Sequence, residues 1–190
     1  MAVQYRLRAP TFIIATALQS RGADLCLFCS PRGNDKMTLT SRSYTTQNYH
    51  PMNATDFRNG VMPRAQLSMV ASQLAVNKAT QKNAKEFAGF ELMEATTVIA
   101  VLKDVGTPNA PLNEDGKAFI EKLESASGNE FDKLYMHAEL TNHEFLSDLA
   151  ESYLKSTDGD KETRHLATLA LFAFNEHVAL CKRIYGEVNG

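Results

Sequence analysis

From Thr55 to the C-terminus, apolar residues recur at helical spacing almost without interruption. Proline and glycine are sparse in this region, and they cluster at the few points where helices would be expected to break. No segment shows the strict alternation of apolar and polar residues that marks a half-buried strand. This pattern restricts the region to folds that are built from helices alone.

Breaks in the pattern divide the region into four long segments. We expect helices over residues 56–80, 82–105, 113–155 and 161–185. The third is interrupted at "SASGN" and resumes at Asn129. Long helices that are joined by short loops pack as antiparallel neighbours. The sequence therefore predicts an all-α fold, an antiparallel four-helix bundle.

Residues 1–54 differ in character from the rest of the chain. Residues 30–54 are rich in Ser, Thr, Asn and Gly and have no apolar period, which is typical of a disordered tether. Before them, two arginines precede an apolar stretch at residues 9–18, as in an export signal. We expect an exported protein whose folded domain spans residues 55–190, with a cytoplasmic location as the alternative.

Charge and composition narrow the classes of partner. The formal net charge is −2, from 20 basic and 22 acidic residues, which does not favour capture of nucleic acid. No apolar run approaches the roughly 20 residues that a transmembrane helix needs. We therefore expect no nucleic-acid partner and no transmembrane span, while a homo-oligomer is compatible with the sequence.

The predicted second helix places two glutamates on its apolar face. At 100° per residue, Glu91 and Glu94 fall within its apolar stripe. That stripe consists of Phe87, Phe90, Val98, Val101, Leu102 and Val105. Burying an ionised carboxylate costs on the order of several kcal/mol unless it is paired or bound to a metal. Two such groups on a core-facing side therefore require an explanation.

The other two long helices add further polar groups to the interior. Asn142 lies in the centre of the third helix's apolar stripe, with Glu139 and His143 one turn apart on its margin. On the fourth helix, His177 lies in the middle of the apolar stripe. That stripe consists of Leu166, Leu169, Ala170, Ala173, Leu180 and Ile184. Three helices thus contribute to one inward-facing polar set.

Two other histidines fall on the polar sides of their helices. His137 lies with charged neighbours on the third helix, and His165 does so on the fourth. Glu162 and His165 spell E-x-x-H, the ligand spacing of di-iron bundles. Because His165 is directed outwards, we interpret that match as coincidental.

The inward set permits two interpretations. Carboxylates and imidazoles on facing helices can bind iron, manganese or zinc in the core of a bundle. The candidate metal ligands are Glu91, Glu94, Glu139, His143 and His177. Alternatively, the carboxylates accept hydrogen bonds from imidazole N–H groups and nothing else is bound.

Two motifs carry a resemblance to a known family. "FDKLYMHAELTNHEFL" (residues 131–146) and "FNEHVAL" (174–180) resemble the paired signatures of domain-of-unknown-function family 4142. The likeness extends from about Phe57 to the C-terminus and includes "SQLA" and "EFAGFELME". It implies a ferritin-like bundle, from a family whose members are often exported and are commonly labelled outer membrane proteins.

The resemblance also bears on the candidate ligands. The family usually carries histidines on its second, third and last helices and an acidic residue on its first. His143 and His177 match the last two histidines, and Glu94 matches the acid before the second-helix histidine. That histidine is Ala95 here, and Ser68 stands where the first-helix acid is expected. The resemblance therefore implies an incomplete metal site.

These observations favour a non-catalytic role. We expect an exported, periplasmic or envelope-associated helical protein that acts through its surface or in stress, with no assigned biochemical activity. The alternative is a ferritin-like protein that holds one or two ions of iron, manganese or zinc. The sequence contains no nucleophile elbow, Gly-rich phosphate loop or H-E-x-x-H motif, so it predicts no catalytic residue and no organic cofactor.

Overall fold

The described residues form helices that are joined by loops. A computed structural model describes residues 52–157 and 159–190. Its helices are α1 (Ala54–Lys78), α2 (Lys82–Asp104), α3 (Glu114–Ser125), α4 (Gly128–Lys155) and α5 (Lys161–Asn189). Within these ranges there is no strand, so the all-α prediction is confirmed. The export signal and disordered tether predicted for residues 1–54 lie almost wholly outside the described residues.

Local capping signals set the helix ends. The Asn53 side chain accepts the backbone N–H of Asp56 at 2.9 Å, so α1 begins at Ala54, slightly before the predicted start at residue 56. At the end of α2, Gly106 has a φ of +83°. The backbone N–H of Thr107 then donates to the Leu102 carbonyl at 2.8 Å, which closes the helix.

The predicted third segment consists of two helices, which are separated at the interruption expected at "SASGN". The short α3 ends at Ser125, and α4 begins at Gly128, where φ is +56°. A positive φ is adopted far more readily by glycine than by other residues, so the "SASGN" stretch breaks the helix completely. α4 is 28 residues long and carries three of the six predicted inward polar side chains, Glu139, Asn142 and His143.

Contacts between the long helices fix their directions. Phe57 near the start of α1 stacks on Tyr153 near the end of α4, with ring centroids 4.8 Å apart. Ser72, near the end of α1, is hydrogen-bonded to Tyr135 near the start of α4 at 2.8 Å. α1 and α4 therefore run antiparallel. α1 also packs along α2, and α4 packs along α5.

The buried apolar residues form two clusters, one towards each end of the long helices. The first includes Phe87, Phe131, Tyr135, Met136 and Ile184. The second includes Phe57, Met62, Leu102, Tyr153 and Phe174. The inward polar residues lie between these clusters along every long helix. Among the described helices, none is both long enough and apolar enough to cross a membrane.

Three residues that the helical wheels placed in the core lie on the surface. Phe90 is 52% exposed, Val101 is 36% exposed and Leu169 is 73% exposed, so those predictions were wrong. On α2 the buried side is instead rich in alanine, including Ala88 and Ala95. Small side chains let α2 pack closely along α1, and this turns the larger apolar residues outwards.

Candidate metal centre

The polar residues expected to face inwards form a layer inside the protein. Glu91, Glu139, Asn142 and His177 are buried, with exposures of 8% or less, and His143 is 1% exposed. The sixth member of the predicted set, Glu94, is half-buried. The helical wheels therefore placed all six on the correct side of their helices.

Four of these residues bring a potential ligand atom into one small space. The ligand atoms of Glu91, Glu94, His143 and His177 all lie within 4.8 Å of one another. His177 Nδ1 is 2.9 Å from Glu91 Oε2 and 3.1 Å from Glu94 Oε2. His143 Nε2 is 3.2 Å from Glu91 Oε2. Two carboxylates and two imidazoles from α2, α4 and α5 thus converge.

The fifth predicted ligand, Glu139, lies beside this group. Its Oε2 accepts a hydrogen bond from Ser68 Oγ at 2.7 Å and is 3.7 Å from His143 Nδ1. The Glu139 backbone carbonyl lies 2.8 Å from the same Nδ1. Because a carbonyl can only accept, Nδ1 of His143 is the donor, and Nε2 is the nitrogen that faces the group.

A serine and an asparagine connect Glu139 to α1. Ser68 Oγ accepts a hydrogen bond from Asn142 Nδ2 at 2.9 Å, in addition to donating to Glu139. Asn142 Oδ1 accepts from Arg64 Nη1 at 3.3 Å. Asn142 is therefore a member of this hydrogen-bonded network, which supports the group from the α1 side.

Opposing effects set the protonation of the paired groups. Burial by itself raises the pKa of Glu91, but the charges and hydrogen bonds of His143 and His177 together lower it to about 2. Burial by itself lowers the pKa of His143, but the charge and hydrogen bond of Glu91, with help from Glu139, raise it to about 9. At neutral pH, Glu91 and His143 therefore form a buried ion pair.

The remaining two carboxyl groups are harder to ionise. Burial, followed by the charge of Glu91, raises the pKa of Glu94. The same two causes raise the pKa of Glu139 to about 8. Crowded carboxyl groups of this kind resist ionisation unless a cation balances them. The group therefore has the electrostatic character of a cation site.

A small cavity adjoins the group. Its volume is about 10 Å³, and three of the four converging residues, Glu91, Glu94 and His143, contribute to its wall. Ser68 and Ala95 also line it. These are the two positions at which the family resemblance implied missing ligands. The space beside the group therefore lies where two small side chains replace the larger polar ones that the resemblance leads one to expect.

The two outward histidines lie as the helical wheels predicted. His137 and His165 are both exposed. The His137 ring packs edge-on against Tyr185, with ring centroids 5.4 Å apart, and takes no part in the buried group. Glu162 is also exposed, so the E-x-x-H match on α5 does not face the interior.

Sequence reasoning missed a buried acid on α4. Asp132 is 1% exposed, and its carboxylate accepts hydrogen bonds from the backbone N–H groups of Thr80 and Gln81. It also accepts the Thr80 hydroxyl at 2.6 Å. Its position in the "FDKLYMH" motif was the available signal. A helical wheel, however, cannot distinguish a buried capping carboxylate from a solvated one.

Comparison with known proteins supports the helical fold and identifies a sequence family. The family described as "Domain of unknown function (DUF4142)" matches residues 41–184. A comparison with curated proteins gives no match.

Two solved structures resemble the chain. A DUF305 fragment from Deinococcus radiodurans has a TM-score of 0.62 at 10% identity, over 70% of this chain and 95% of that one. The "putative secreted protein DUF305" from Streptomyces coelicolor has a TM-score of 0.57 at 14% identity, over 74% of this chain and 96% of that one. At such low identity these matches support the fold alone.

Proposed function

We propose that this chain, which belongs to the DUF4142 family of unknown function, is a metal-binding protein that holds one divalent ion in its core. The proposed ligands are Glu91, Glu94, His143 and His177. Iron, manganese and zinc are the ions that suit such a mixture of carboxylate and imidazole groups. One observation carries the proposal: the four ligand atoms lie within 4.8 Å of one another although they come from three helices.

The spacing of these atoms suits a first coordination shell. Ligand atoms about 2.1 Å from a tetrahedral ion lie roughly 3.4 Å from one another. The contacts of His177 Nδ1 with Glu91 and Glu94 measure 2.9 and 3.1 Å, and His143 Nε2 is 3.2 Å from Glu91. Only small side-chain shifts would therefore be needed to surround an ion.

Charge also favours a divalent ion. The two carboxylates of Glu91 and Glu94 balance a charge of +2, and the imidazoles add none once the ion displaces the proton that His143 carries in the metal-free group. Glu139 has a supporting role in this proposal, because its carbonyl accepts from His143 Nδ1 and leaves Nε2 for the ion. A ligand imidazole is commonly oriented in this way by a second hydrogen bond.

The set of donors suits one ion better than two. Di-iron bundles take a carboxylate from each of two helices and a Glu-x-x-His pair from each of two others. Here α1 offers Ser68 at the layer of the site and no carboxylate. Four protein ligands are sufficient for a single ion.

We also assign the four long helices to an antiparallel, ferritin-like four-helix bundle. The antiparallel α1–α4 pair supports this assignment. So does the α2–α5 pair, in which Gln81 near the start of α2 donates to Glu187 near the end of α5 at 2.8 Å. Polar groups from facing helices meeting at mid-length are typical of such bundles.

Export to the periplasm or envelope is a second part of the proposal. Two observations support it. Near the N-terminus two arginines precede an apolar stretch, as in an export signal, and the fold resembles that of a protein described as secreted. Fractionation of cells that produce the full chain tests it. Recovery outside the cytoplasm with a shortened N-terminus is expected, and an intact chain in the cytoplasm would count against it.

Three further expectations stay predictions: the domain boundary at residue 54, the lack of a nucleic-acid partner and a homo-oligomer.

A metal-free structural role is the second candidate, and one observation favours it. Among the described residues, the buried side-chain atoms without a hydrogen-bond partner are Thr107 Oγ1 and the Tyr153 hydroxyl, neither of which lies in the group. The group is thus already hydrogen-bonded within itself. The protein would then act through its surface, as an envelope or stress component.

Metal analysis with histidine variants distinguishes the two candidates. Elemental analysis of the untagged protein after reconstitution should give about one ion per chain. His143→Ala and His177→Ala should each weaken binding by more than about 100-fold, since each removes a direct ligand. His137→Ala and His165→Ala are matched controls, because both histidines are exposed, and they should bind like the wild type. A wild-type protein that takes up no metal would establish the metal-free alternative.

A further inference from the structure

We infer that the bound ion keeps one coordination position open, and that the cavity beside the site holds a neutral, water-sized ligand there. This inference rests on the proposed metal site and deepens it. Four protein ligands close a tetrahedral shell, but manganese favours octahedral surroundings and zinc at reactive sites can take a fifth ligand, so a site with four protein ligands can still leave a position for an exchangeable one. An open position would make this centre reactive.

The position of the cavity indicates which side of the ion carries the open coordination position. Glu91, Glu94 and His143 line it, and His177 does not. Three residues of α1 contribute to its wall, together with apolar residues of α2, α4 and α5. α1 contributes no ligand to the group. The unprotected side of the ion would therefore face α1, the one long helix that does not bind it.

The size of the cavity limits the ligand. Its volume of about 10 Å³ is close to the smallest space that holds one water molecule. Ser68 and Ala95 create this space because their side chains are short. An anion such as azide or acetate is larger than this space. The ligand class is therefore a molecule of about the size of water.

The chemistry of the walls indicates a neutral ligand. Two carboxylates already balance a divalent ion, and an added anion would leave the buried site with uncompensated charge. Much of the remaining wall is apolar, through residues such as Val98, Leu146 and Phe174. Ser68 Oγ donates to Glu139 and accepts from Asn142, so its second lone pair can accept a hydrogen bond from water.

Manganese loading provides a direct test. The protein is loaded with Mn²⁺, frozen in ¹⁷O-labelled water and measured by electron–nuclear double resonance. The wild type should show the ¹⁷O coupling of a water molecule bound directly to manganese. Ala95→Val places a larger side chain in the cavity wall and so removes space from the cavity. This variant should lose the ¹⁷O coupling while still binding Mn²⁺. Ala100→Val makes the same substitution on the exposed side of α2 and should retain it.

A second variant tests the size limit and does not depend on the folding of the first. Val98→Ala enlarges the cavity, so azide should change the electron paramagnetic resonance spectrum of its Mn²⁺ at concentrations that leave the wild-type spectrum unchanged. An equal effect of azide on both proteins would refute the size limit. Wild-type protein that binds Mn²⁺ without ¹⁷O coupling would refute the open position and leave the metal site intact. Absence of Mn²⁺, Fe²⁺ and Zn²⁺ binding in calorimetry would overturn both proposals.

Discussion

Asp132 on α4 anchors Thr80 at the entrance to α2: its carboxylate accepts the Thr80 backbone N–H at 3.1 Å and the Thr80 hydroxyl at 2.6 Å. Residues 80 and 91 are eleven positions apart, as are residues 132 and 143. Eleven residues make about three helical turns, so Asp132 and His143 lie on the same side of α4, and Thr80 lies two residues before α2 begins at Lys82. The anchor therefore sets the register that brings Glu91 against His143.

Removing this anchor should weaken both stability and metal binding. Asp132→Ala deletes a buried charged acceptor with several hydrogen bonds, and we expect it to lower the free energy of unfolding by about 2 kcal/mol. Metal affinity should fall about 10-fold, although Asp132 contacts no ligand. Urea denaturation and calorimetry measure the two effects. Asp148→Ala, an exposed acid on the same helix, is the control. Unchanged metal affinity in folded Asp132→Ala protein would show that the anchor does not set the register.

Ser68 should be important for stability even without metal. Ser68→Ala leaves the buried Glu139 carboxyl and the Asn142 amide each without one partner, which should cost about 2 kcal/mol of unfolding free energy. Chemical denaturation of the metal-free protein measures this. Ser125→Ala, at an exposed site, should change stability by less than about 0.5 kcal/mol. Equal effects of the two substitutions would contradict the role of the network.

Asp160 should stabilise α5 in a pH-dependent way. Its Oδ1 accepts the Thr163 backbone N–H at 2.7 Å as the helix cap, and this bond, with help from Arg58, lowers the pKa of Asp160 below its ordinary value of 3.8. A lowered pKa stabilises the fold above pH 3.8, and that contribution disappears as the pH falls through the folded-state value. Asp160→Ala should therefore cost about 1 kcal/mol at neutral pH and less in acid.

Denaturation of wild type and Asp160→Ala at a series of pH values checks this prediction. The difference between the two should be constant from neutral pH down to about pH 4 and should shrink below it. A difference that grows in acid would contradict the assigned cap.

Metal binding should raise thermal stability. Only the folded chain assembles the four ligands, so an ion at about 100 times its dissociation constant should add about 2.7 kcal/mol. Thermal unfolding with zinc and with a chelator measures the gain. It should be absent in His177→Ala and present in His165→Ala, where the lost imidazole is exposed. A gain of equal size in both variants would place the stabilising ion elsewhere.

The layer of inward polar residues was predictable, because helical spacing alone assigns a residue to one side of its helix. Glu91, His143 and His177 have apolar neighbours at that spacing, and each is buried. Their convergence was not predictable from spacing. It depends on contacts such as Asp132 with Thr80, which join positions far apart in the chain. The wheels also could not separate Glu94, which faces His177, from Glu139, which faces Ser68.

The errors on α2 have a related cause. A helical wheel weights large apolar side chains, so it favoured the side with Phe90 and Val101 over the side with Ala88 and Ala95. Close packing of α2 against α1 reverses that preference. The sequence "SASGN" indicated a break between α3 and α4. Whether the helix ends there completely depends on the left-handed backbone at Gly128. Sequence alone does not give that conformation.

The most direct measurement is a crystal structure of the zinc-loaded protein with anomalous data collected at the zinc edge. We predict one strong peak per chain, within bonding distance of Glu91, Glu94, His143 and His177. A peak at the exposed His137 or His165 would contradict the metal centre. So would the absence of a peak with the four side chains still hydrogen-bonded to one another.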